Sequence, residues 1–379
     1  MDTKGQLGNI ELFNEFPRLA DKMNWIPIGY YPTPVQETPE LAECLNIGKL
    51  FIKRDDLSNP TYGGNKIRKL DFIIAEAQRK GARKVLTFGG IGSNHFLATT
   101  IHAHEHGLGS IGVLVPQPVT ATVKRNMLCD LHYEAELNLA GSFSEAPLVA
   151  LAAIARHTIE DKRPPFVIPA GGSSLLGVIG YINAAFELKE QINEGLLPEP
   201  DYIFVAAGTC GTASGLIAGC KAAGLKTKVI PVRVTDWKAA NRMLLASLAN
   251  RASIKLFASD QSFPLNIFTP FDVELITDYF GGEYGRLTCE GCEAIDVVKE
   301  HCEIGLEGVY TGKAFAGLIG MSKEKDLSGK TVLFWNTYNS VDLSPIAEQH
   351  EYHELPSEFH KYFEMPEHTL EDEEINVQA

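Results

Sequence analysis

Short apolar runs that end in glycine or proline alternate along the chain with amphipathic helical segments. A helix is predicted from Asn94 through His106, with Gly107 as its stop. Strands that alternate with helices predict an α/β protein with a mostly parallel sheet and helices on both faces. The runs read as strands are KVLTFGG (84–90), SIGVLVP (110–116), PFVIPAGG (165–172), DYIFVAAG (201–208), KVIPVRV (228–234) and KTVLFWNT (330–337).

Several of these runs end in glycine-rich turns, and parallel sheets bind ligands at the carboxyl ends of their strands. In AAGTCGTASGLIAG (206–219), a strand is followed by a Gly-Thr-Cys-Gly-Thr turn and small residues that open a helix. Backbone N–H groups, threonine hydroxyls and a helix N-terminus make a suitable phosphate cradle. The segment is neither a Walker loop nor a GxGxxG fingerprint, and a tight turn required only by packing remains the alternative.

Composition narrows the class of protein. The chain has 379 residues, enough for two domains, with 45% hydrophobic and 22% charged residues, as in soluble globular proteins. A formal net charge of −14 argues against nucleic acid as the main partner. No apolar run approaches the roughly 20 residues that span a bilayer, and the N-terminus lacks a secretory h-region, so we expect a cytoplasmic protein without a membrane partner.

Two clusters could suggest a metal, but neither has the expected ligand spacing. The seven cysteines are scattered and fit reduced thiols, and the one CxxC, Cys289 and Cys292, has no matching second pair. The acidic segment from Ala347 onward contains four histidines, and a solvated polar tail is the expected structure. We expect no metal site, and we predict that this segment packs in its first part and is disordered over its last ten or so residues.

A polar triplet follows the first glycine-rich strand end. In TFGGIGSNHFLATT (87–100), Ser93, Asn94 and His95 stand at the start of the predicted helix. An N-cap is the ordinary role for serine or asparagine there. The same position can also bind a carboxylate through backbone N–H groups, and capping and binding are compatible.

A lysine follows a Gly-Gly-Asn turn in NPTYGGNKIRKLDF (59–72). Lysines at the mouth of a sheet are ordinarily solvated or ion-paired. Together with a phosphate cradle and a polar clamp, however, Lys66 meets the requirements of a pyridoxal phosphate enzyme. Arg68 and Lys69 are interpreted as surface or ion-pair residues without a chemical role.

Five segments in order resemble one family. KRDDLSNPTYGGNKIRKL, GGIGSNH, IPAGGSSLLGVIGYINAAFEL, AAGTCGTASGL and GVYTGKAFAGL are similar to the D-cysteine desulfhydrase and 1-aminocyclopropane-1-carboxylate deaminase family, one of the tryptophan synthase β-like pyridoxal phosphate enzymes. The resemblance covers residues 33–344. It implies the open twisted parallel-sheet fold of the fold type II enzymes, with two α/β domains and the cofactor, pyridoxal 5'-phosphate, between them.

The resemblance also implies domain boundaries. The large cofactor-binding domain would comprise residues 1–66 and 171–345, and the small domain residues 67–170. Residues 346–379 would form an acidic C-terminal extension. Relatives in this family are commonly dimers, so a homodimer is expected by analogy.

Site residues follow from the resemblance, position by position. Lys66 would form the Schiff base with the cofactor and carry the proton of the substrate α-carbon. Asn94 would hydrogen-bond the 3-oxygen of the cofactor beside the substrate, and Ser93 and His95 would flank the substrate carboxylate, with Ser93 also placed for proton transfer. Tyr284 and Tyr310 match two active-site tyrosines near the ring and the substrate. The phosphate would be held by Gly208, Thr209, Cys210, Gly211 and Thr212.

The expected reaction depends on the partner of the ring nitrogen. The deaminases have YEGK, whose carboxylate keeps the pyridine nitrogen protonated; this chain has YTGK, with Thr311. The turn WNTYNS keeps Thr337, which matches the ring-nitrogen partner of the desulfhydrases. The weaker electron sink favours α,β-elimination from a small amino acid such as D-cysteine, which gives a 2-keto acid and ammonia. A cyclopropane-opening deaminase and a relative that binds the cofactor without catalysis are the alternatives.

The chain departs from the family at three places within the core, and its C-terminal extension is also unusual. Tyr338–Asn339 replaces a glycine pair, Gly92 stands where glutamine is usual, and Cys210 where serine or alanine is common. These departures bear on which substrate is used, and in which chirality, more than on cofactor binding.

Overall fold

The computed structural model describes residues 6–8 and 10–368, and the chain divides into two compact units. The large unit contains the residues up to Phe72 together with Ser173–Ser340. The small unit contains Ile73–Gly172 together with the chain from Val341 onward. The predicted disorder of the last ten or so residues lies outside the described residues.

The strands confirm the apolar runs as sheet elements. The run at 84–90 is a strand over its full length, whereas PFVIPAGG contributes only two strand residues before a 3-10 turn. The strands in chain order are β1 (Gln6–Leu7), β2 (Tyr30–Tyr31), β3 (Val35–Glu37), β4 (Ile47–Arg54), β5 (Lys84–Gly90), β6 (Gly109–Val115), β7 (Glu136–Leu139), β8 (Phe166–Val167), β9 (Tyr202–Ala207), β10 (Lys228–Arg233) and β11 (Leu327–Asn336).

Helices separate most of these strands, and among the described residues none is long and apolar enough to cross a bilayer. The helices in chain order are α1 (Glu11–Glu15), α2 (Pro17–Ala20), α3 (Pro39–Cys44), α4 (Lys66–Arg79), α5 (Asn94–Glu105), α6 (Ala121–His132), α7 (Ala146–Asp161), α8 (Leu175–Asn193), α9 (Gly211–Ala222), α10 (Arg242–Ser259), α11 (Cys289–Cys302), α12 (Thr311–Glu324), α13 (Ser344–Ala347) and α14 (Ser357–Glu364).

The large unit is built on a five-stranded sheet in the order β10-β9-β11-β4-β3. All neighbouring pairs are parallel except the edge pair β3–β4. Along β9, Ile203 and Val205 pack into one apolar core with α8, α9 and α10, and Phe204 packs into a second core with α11 and α12. Because alternate residues of a strand point to opposite faces, helices cover both faces of this sheet.

The carboxyl ends of the parallel strands β9, β11 and β4 lie at one edge of the large-unit sheet. β9 ends at Ala207, before the glycine-rich turn, and β11 ends at Asn336, before Thr337. β4 ends at Arg54, and the chain that follows leads to Lys66. The topology therefore brings three of the predicted motifs to one edge of the sheet.

The small unit has a four-stranded parallel sheet in the order β7-β6-β5-β8. The C-terminal segment contributes to its core through Leu355, Phe359 and Tyr362, which are buried together with Phe96 of α5 and Met127 of α6. The predicted packing of the first part of this segment is thereby confirmed.

A buried ionic network lies in the large unit beside the first turn of α4. Arg68 binds Asp55 and Glu187, each at 2.7 Å, and Lys53 binds Glu187 at 2.5 Å. Asp55 also accepts hydrogen bonds at 2.7 Å from Tyr181 and from the Trp335 indole. The ion-pair interpretation of Arg68 is confirmed, but the surface interpretation is wrong for Arg68 and Lys69, which are 1% and 2% exposed.

Candidate active site

The lysine loop of the large unit, residues 63–66, is held by close backbone contacts. Gly64 has a φ of +91°, and a Cβ there would lie 2.9 Å from the carbonyl oxygen of Thr337. The Asn65 N–H donates to that same carbonyl at 3.1 Å. A Cβ on Gly63 would lie 2.2 Å from the Asp56 carbonyl. Both glycines are therefore required for the loop to pass against the turn after β11.

Lys66 is the first residue of α4, and its side chain is half-buried. Its Nζ donates to Asn65 Oδ1 at 2.6 Å and lies 6.0 Å from the centroid of the Tyr310 ring. Burial lowers the pKa of Lys66 to about 8, although the negative charge of Glu307 opposes that shift. A lysine with this pKa has a substantial neutral fraction near physiological pH, as a nucleophile or base requires.

The turn after β9 is a cradle of small residues at the N-terminus of α9. Cys210 has a φ of +67°, and the N–H of Gly211 donates to Ser173 Oγ at 3.1 Å. Ser173 Oγ also lies 2.6 Å from Thr209 Oγ1, and Thr212 Oγ1 accepts from Asn65 Nδ2 at 2.9 Å. The turn is thus tied to the residue that precedes Lys66.

Glycine is needed at two positions of this cradle. A Cβ on Gly208 would lie 3.0 Å from the Tyr310 ring, and a Cβ on Gly211 would lie 2.5 Å from Ser173 Oγ. A side chain at either position would therefore displace Tyr310 or Ser173. Such a turn at a helix N-terminus suits a phosphate group.

Two tyrosines lie together in the large unit. The hydroxyl oxygens of Tyr284 and Tyr310 are 2.6 Å apart, and their rings meet edge to face at a centroid distance of 6.2 Å. Burial raises the pKa of both phenols, and for Tyr310 the nearby Tyr284 adds to the effect. Both hydroxyls therefore stay protonated at neutral pH, and either can donate a hydrogen bond or a proton.

The polar triplet stands at the start of α5 in the small unit. Ser93 is the N-cap, and its Oγ accepts from the Phe96 N–H at 3.2 Å, which confirms the capping interpretation. Asn94 Oδ1 accepts from Asn126 Nδ2 at 3.1 Å. His95 Nε2 lies 3.0 Å from Thr87 Oγ1.

The hydrogen-bond geometry fixes the tautomer of His95. The Thr87 hydroxyl donates its one proton to the Ile168 carbonyl at 3.0 Å, so it accepts from His95. His95 Nε2 is therefore the protonated nitrogen. In the same loop, a Cβ on Gly92 would lie 2.6 Å from Val123, which explains why glutamine does not fit at this position.

The comparisons with known proteins agree with these motifs. The chain matches the family described as pyridoxal-phosphate dependent enzymes over residues 26–337. The chain belongs to this family. A putative 1-aminocyclopropane-1-carboxylate deaminase of Pyrococcus abyssi is 32% identical over 328 residues, which are 86% of this chain and 92% of that protein. A D-cysteine desulfhydrase of Salmonella paratyphi C is 32% identical over 315 residues, 81% of this chain and 91% of that protein.

Solved structures show the same fold. A homologue of 1-aminocyclopropane-1-carboxylate deaminase matches with a TM-score of 0.73 and 30% identity, covering 87% of this chain and 95% of its own. A fungal L-serine ammonia-lyase from Rhizomucor miehei, at 21% identity and a TM-score of 0.57, shows the fold alone. The predicted fold type II architecture and the pyridoxal phosphate cofactor are both confirmed.

The residues of the large unit fit this cofactor. A half-buried amine with a lowered pKa can bind its aldehyde, and the cradle in front of Gly208 and Gly211 can take its phosphate. Burial raises the pKa of the Cys210 thiol to about 11, so the thiol stays protonated at neutral pH. Cys210 therefore contributes its backbone and a small side chain to the turn, and no thiolate.

Sequence reasoning missed Lys69, which lies one helical turn after Lys66. It is buried, and desolvation, reinforced by the charge of Lys66, holds its pKa well below the ordinary range. The i, i+3 spacing from Lys66 was the available signal, because residues three apart share a helix face.

Sequence reasoning also missed Glu307, in the loop before α12. Its Oε1 accepts from the N–H groups of Tyr310 at 2.6 Å and Thr311 at 2.9 Å, and its Oε2 accepts from Val309 at 2.9 Å. Glu307 thus orients the loop that carries Tyr310. A glutamate shortly before a helix is a capping signal that could have identified it.

Thr311 is part of the same helix start. Its Oγ1 accepts from the N–H of Glu307 at 2.8 Å, and its side chain is fully buried. Thr337, at the end of β11, is 9% exposed. The two threonines therefore have different environments, although the sequence treats them as alternative partners of one ring nitrogen.

In the turn after β11, a residue that departs from the family makes a structural contact. Asn339, which replaces a glycine, is buried, and its Oδ1 accepts from the Gly63 N–H at 2.7 Å. The Ser340 hydroxyl donates to the Asp56 carbonyl at 3.2 Å. Tyr338, the residue before Asn339, is half-buried. The asparagine therefore stabilises the lysine loop.

Proposed function

We propose that the protein is a pyridoxal phosphate-dependent lyase that catalyses α,β-elimination from a small amino acid such as D-cysteine. The α-hydrogen and the β-substituent leave the substrate, and hydrolysis then gives a 2-keto acid and ammonia; with D-cysteine the β-substituent leaves as hydrogen sulfide. Relatives named D-cysteine desulfhydrase support this choice of substrate class.

The environment of Thr311 and Glu307 carries the proposal. Elimination of a good leaving group does not require a carboxylate on the ring nitrogen, whereas opening a cyclopropane calls for the stronger electron sink. The Thr311 hydroxyl accepts a hydrogen bond from the Glu307 N–H just before α12. The Glu307 carboxylate accepts hydrogen bonds from three backbone N–H groups. We assign the ring nitrogen to the Thr337 hydroxyl, which carries no negative charge and so does not hold a proton on that nitrogen as a carboxylate would.

Lys66 is the proposed base. Bound pyridoxal phosphate supplies the electron sink that lets the α-carbon lose its proton. The Lys66 amine would accept that proton, and its lowered pKa suits both holding and releasing it near neutral pH. Its contact with Asn65 at 2.6 Å supports a fixed position for the amine.

The tyrosine pair is the proposed donor to the leaving group. Two protonated phenols 2.6 Å apart can pass a proton from Tyr284 to Tyr310, or the reverse, as negative charge develops on the β-substituent. In the small unit, we assign the substrate carboxylate to Ser93 and His95, and the 3-oxygen of the cofactor to Asn94.

Phosphate binding is proposed for the turn Gly208–Thr212, with Lys69 as a further contributor. Lys69 is buried one helical turn after Lys66, and a phosphate dianion nearby would favour its charged form. The proposal adds Lys69 to the cofactor-binding residues.

Two further expectations concern the cellular location and the oligomeric state of the enzyme. A cytoplasmic location is supported by the cysteines, because all seven lie among the described residues and none of them forms a disulfide there. A homodimer is proposed by analogy with the family.

A 1-aminocyclopropane-1-carboxylate deaminase is the second candidate. The homologue with a TM-score of 0.73 and the relative from Pyrococcus abyssi bear that name. The tyrosine pair suits either reaction, and Thr311 in place of glutamate favours the lyase.

The test is a screen of D- and L-amino acids and the cyclopropane substrate for keto acid release, with a spectral titration beside it. D-cysteine should release pyruvate, ammonia and sulfide, and Lys66→Ala should abolish the yellow colour and the activity. Lys80→Ala is the matched control, because Lys80 is exposed directly after the same helix. Release of α-ketobutyrate from the cyclopropane substrate without sulfide from D-cysteine would refute the proposal.

A further inference from the structure

Two cysteines lie one turn apart at the start of helix α11 in the large unit. Cys289 is the first residue of the helix and is exposed, and Cys292 is half-buried. We call these two residues the α11 pair. An accessible thiol next to a second, less accessible one is the arrangement of cysteines that react in sequence with a soluble disulfide.

The helix start brings both cysteines into one hydrogen-bonded turn. Thr288 is the N-cap: its Oγ1 accepts from the Gly291 N–H at 3.2 Å, and its carbonyl accepts from the Cys292 N–H at 3.0 Å. Residues three apart share a helix face, with Cβ atoms about 5–6 Å apart, and a disulfide needs about 3.5–4.5 Å. The α11 pair can therefore close into a disulfide when this turn tightens by roughly 1–2 Å.

Dithiol chemistry fits the α11 pair better than metal binding does. A structural zinc ion takes four ligands. The part of the chain that the structure describes contains no group of three or more His, Cys, Asp or Glu side chains that could hold a metal ion. Cys302 is the last residue of α11, roughly 15 Å along the helix from Cys292. Within this helix, Cys289 and Cys292 are therefore partners of each other.

The turn that carries the α11 pair packs against both segments that hold the tyrosine pair. In the segment before the first tyrosine, a Cβ on Gly281 would lie 2.6 Å from Thr288 Cγ2. In the segment after the second tyrosine, a Cβ on Gly312 would lie 2.7 Å from the Gly291 carbonyl oxygen. Packing this close transmits a shift of the turn to its neighbours.

Lys313 of α12 links these two segments. It is fully buried, and its Nζ donates to the Phe280 carbonyl at 2.7 Å. A Cβ on Gly291, between the two cysteines, would lie 3.4 Å from Lys313 Cγ. The turn that must tighten therefore contacts the side chain that ties α12 to the loop before Tyr284.

We propose that the α11 pair is a redox site that small disulfides oxidise and thiols reduce, and that its oxidation slows the elimination reaction. The Cys289 thiolate attacks one sulfur of the soluble disulfide, whose S–S bond breaks as one thiol leaves. The Cys292 thiolate then attacks Cys289 Sγ, and the second thiol leaves. The two cysteines lose two protons and two electrons, and the soluble disulfide becomes two thiols.

The proposed substrate gives the oxidant and the reductant a chemical identity, and this step rests on the proposed function. D-Cysteine is a thiol, and cystine is its disulfide. The ratio of the two would set the state of the α11 pair, so that the enzyme is active when the thiol is abundant. Disulfides in reducing compartments are usually transient and redox-sensing, as this role requires.

The first test maps the disulfide without using activity. Cofactor-loaded enzyme is incubated with excess cystine or glutathione disulfide, alkylated, and digested with trypsin, which cleaves after Arg286 and Lys299. The peptide 287–299 contains both cysteines of the α11 pair and no other cysteine. Oxidation should lower its mass by two hydrogens and prevent its alkylation, and dithiothreitol should reverse both changes.

Single variants test the order of attack. Cys292→Ser should retain a mixed disulfide on Cys289, whereas Cys289→Ser should form little, because its remaining thiol is less exposed. Cys302→Ser is the matched control at the other end of the same helix and should leave the disulfide unchanged. A wild-type peptide 287–299 that stays reduced, or that is linked only to another cysteine, would overturn the proposal.

The second test measures turnover with β-chloro-D-alanine, which has a good leaving group and no thiol that could reduce the site. Oxidised wild type should keep its yellow colour and lose at least about tenfold in kcat, because small displacements in a site are costly. Dithiothreitol should restore kcat, and Cys289→Ser should be unaffected by the disulfide. With D-cysteine, the oxidised enzyme should show a lag that ends as the substrate reduces the site. Equal kcat for the oxidised and reduced enzyme would overturn the link to the tyrosine pair.

The two tests separate this proposal from the proposed reaction. Turnover of D-cysteine by an enzyme whose peptide 287–299 never oxidises would refute the redox site alone. A reversible disulfide in 287–299, in an enzyme that turns over no amino acid, would refute the reaction and support the site.

Discussion

Replacing Glu307 by glutamine should make the apoenzyme bind pyridoxal phosphate faster at neutral pH. Burial lowers the pKa of Lys66 from 10.5 to about 8, and the charge of Glu307 limits that shift. At pH 7, a lysine with this pKa is about one-tenth neutral, whereas an ordinary lysine is neutral in only about one molecule in 3,000. The neutral amine is the form that attacks the aldehyde.

The magnitude follows from the lost charge. A nearby opposite charge shifts a pKa by roughly 1–3 units. We take about one unit, because Glu307 is half-buried and its effect on Lys66 is smaller than that of burial. The pKa of Lys66 should then fall to about 7 in Glu307→Gln, and its neutral fraction at pH 7 should rise from about one-tenth to about one-half. The expected rate increase at pH 7 is about fivefold.

The assay is stopped-flow absorbance of apoenzyme mixed with pyridoxal phosphate between pH 7 and pH 9, where the phosphate, with a second pKa near 6, stays a dianion. The midpoint of the rate profile should lie near pH 8 for the wild type and about one unit lower for the variant. Glu303→Gln, an exposed glutamate four residues earlier, should leave the midpoint unchanged. A variant midpoint at or above that of the wild type would refute the electrostatic argument.

Three further changes test other parts of the site. Lys69→Met should weaken pyridoxal phosphate binding about tenfold or more, measured by equilibrium titration, while the Lys66 colour still forms at saturation, because only charge near the phosphate is lost. Glu187→Gln should reduce the free energy of unfolding by about 3 kcal/mol in urea titration, since it leaves Lys53 buried without its carboxylate and leaves Arg68 with Asp55 alone; exposed Glu190→Gln should change it little. Burial alone would raise the pKa of Glu187, but Arg68 and Lys53 lower it to about 2, so this stabilisation is present above about pH 4.5 and is lost as the pH falls toward 2. Tyr310→Phe should lower kcat for elimination at least about tenfold with unchanged colour, and an unaffected kcat would exclude the tyrosine pair as the proton donor.

The strand ends could be predicted from the sequence because backbone geometry dictates their residues. Gly64, Gly208 and Gly211 stand where a Cβ would meet the chain or a neighbouring ring at 3.0 Å or less. A glycine-rich turn after an apolar strand can be recognised from the local sequence, whereas the contacts that require these glycines come from the distant residues Thr337, Tyr310 and Ser173. The predicted strands and the predicted helix after Ser93 were correct for the same reason, since their signals are local.

The burial of Arg68 and Lys69 could not be predicted, because the partners that decide it are distant in sequence. Arg68 binds Glu187 of α8, 119 residues further along the chain, and nothing in NKIRKL indicates which face of α4 turns inward. A run of basic residues ordinarily lies on a solvated face. Here the carboxylates that pair with Arg68 come from other elements, so the composition of this segment wrongly predicted an exposed side chain.

The turn WNTYNS, where the chain leaves its family's pattern, has a structural explanation at one of its two positions. Asn339 binds the Gly63 N–H at 2.7 Å, so the side chain that replaces a glycine serves to hold the loop that ends in Lys66. The replacement of glycine by Asn339 therefore has a structural reason, because the side chain stabilises the lysine loop. Tyr338, which is half-buried and follows directly after Thr337, makes no comparable contact with that loop among the hydrogen bonds of the described residues, so we assign to it any effect of this turn on substrate size.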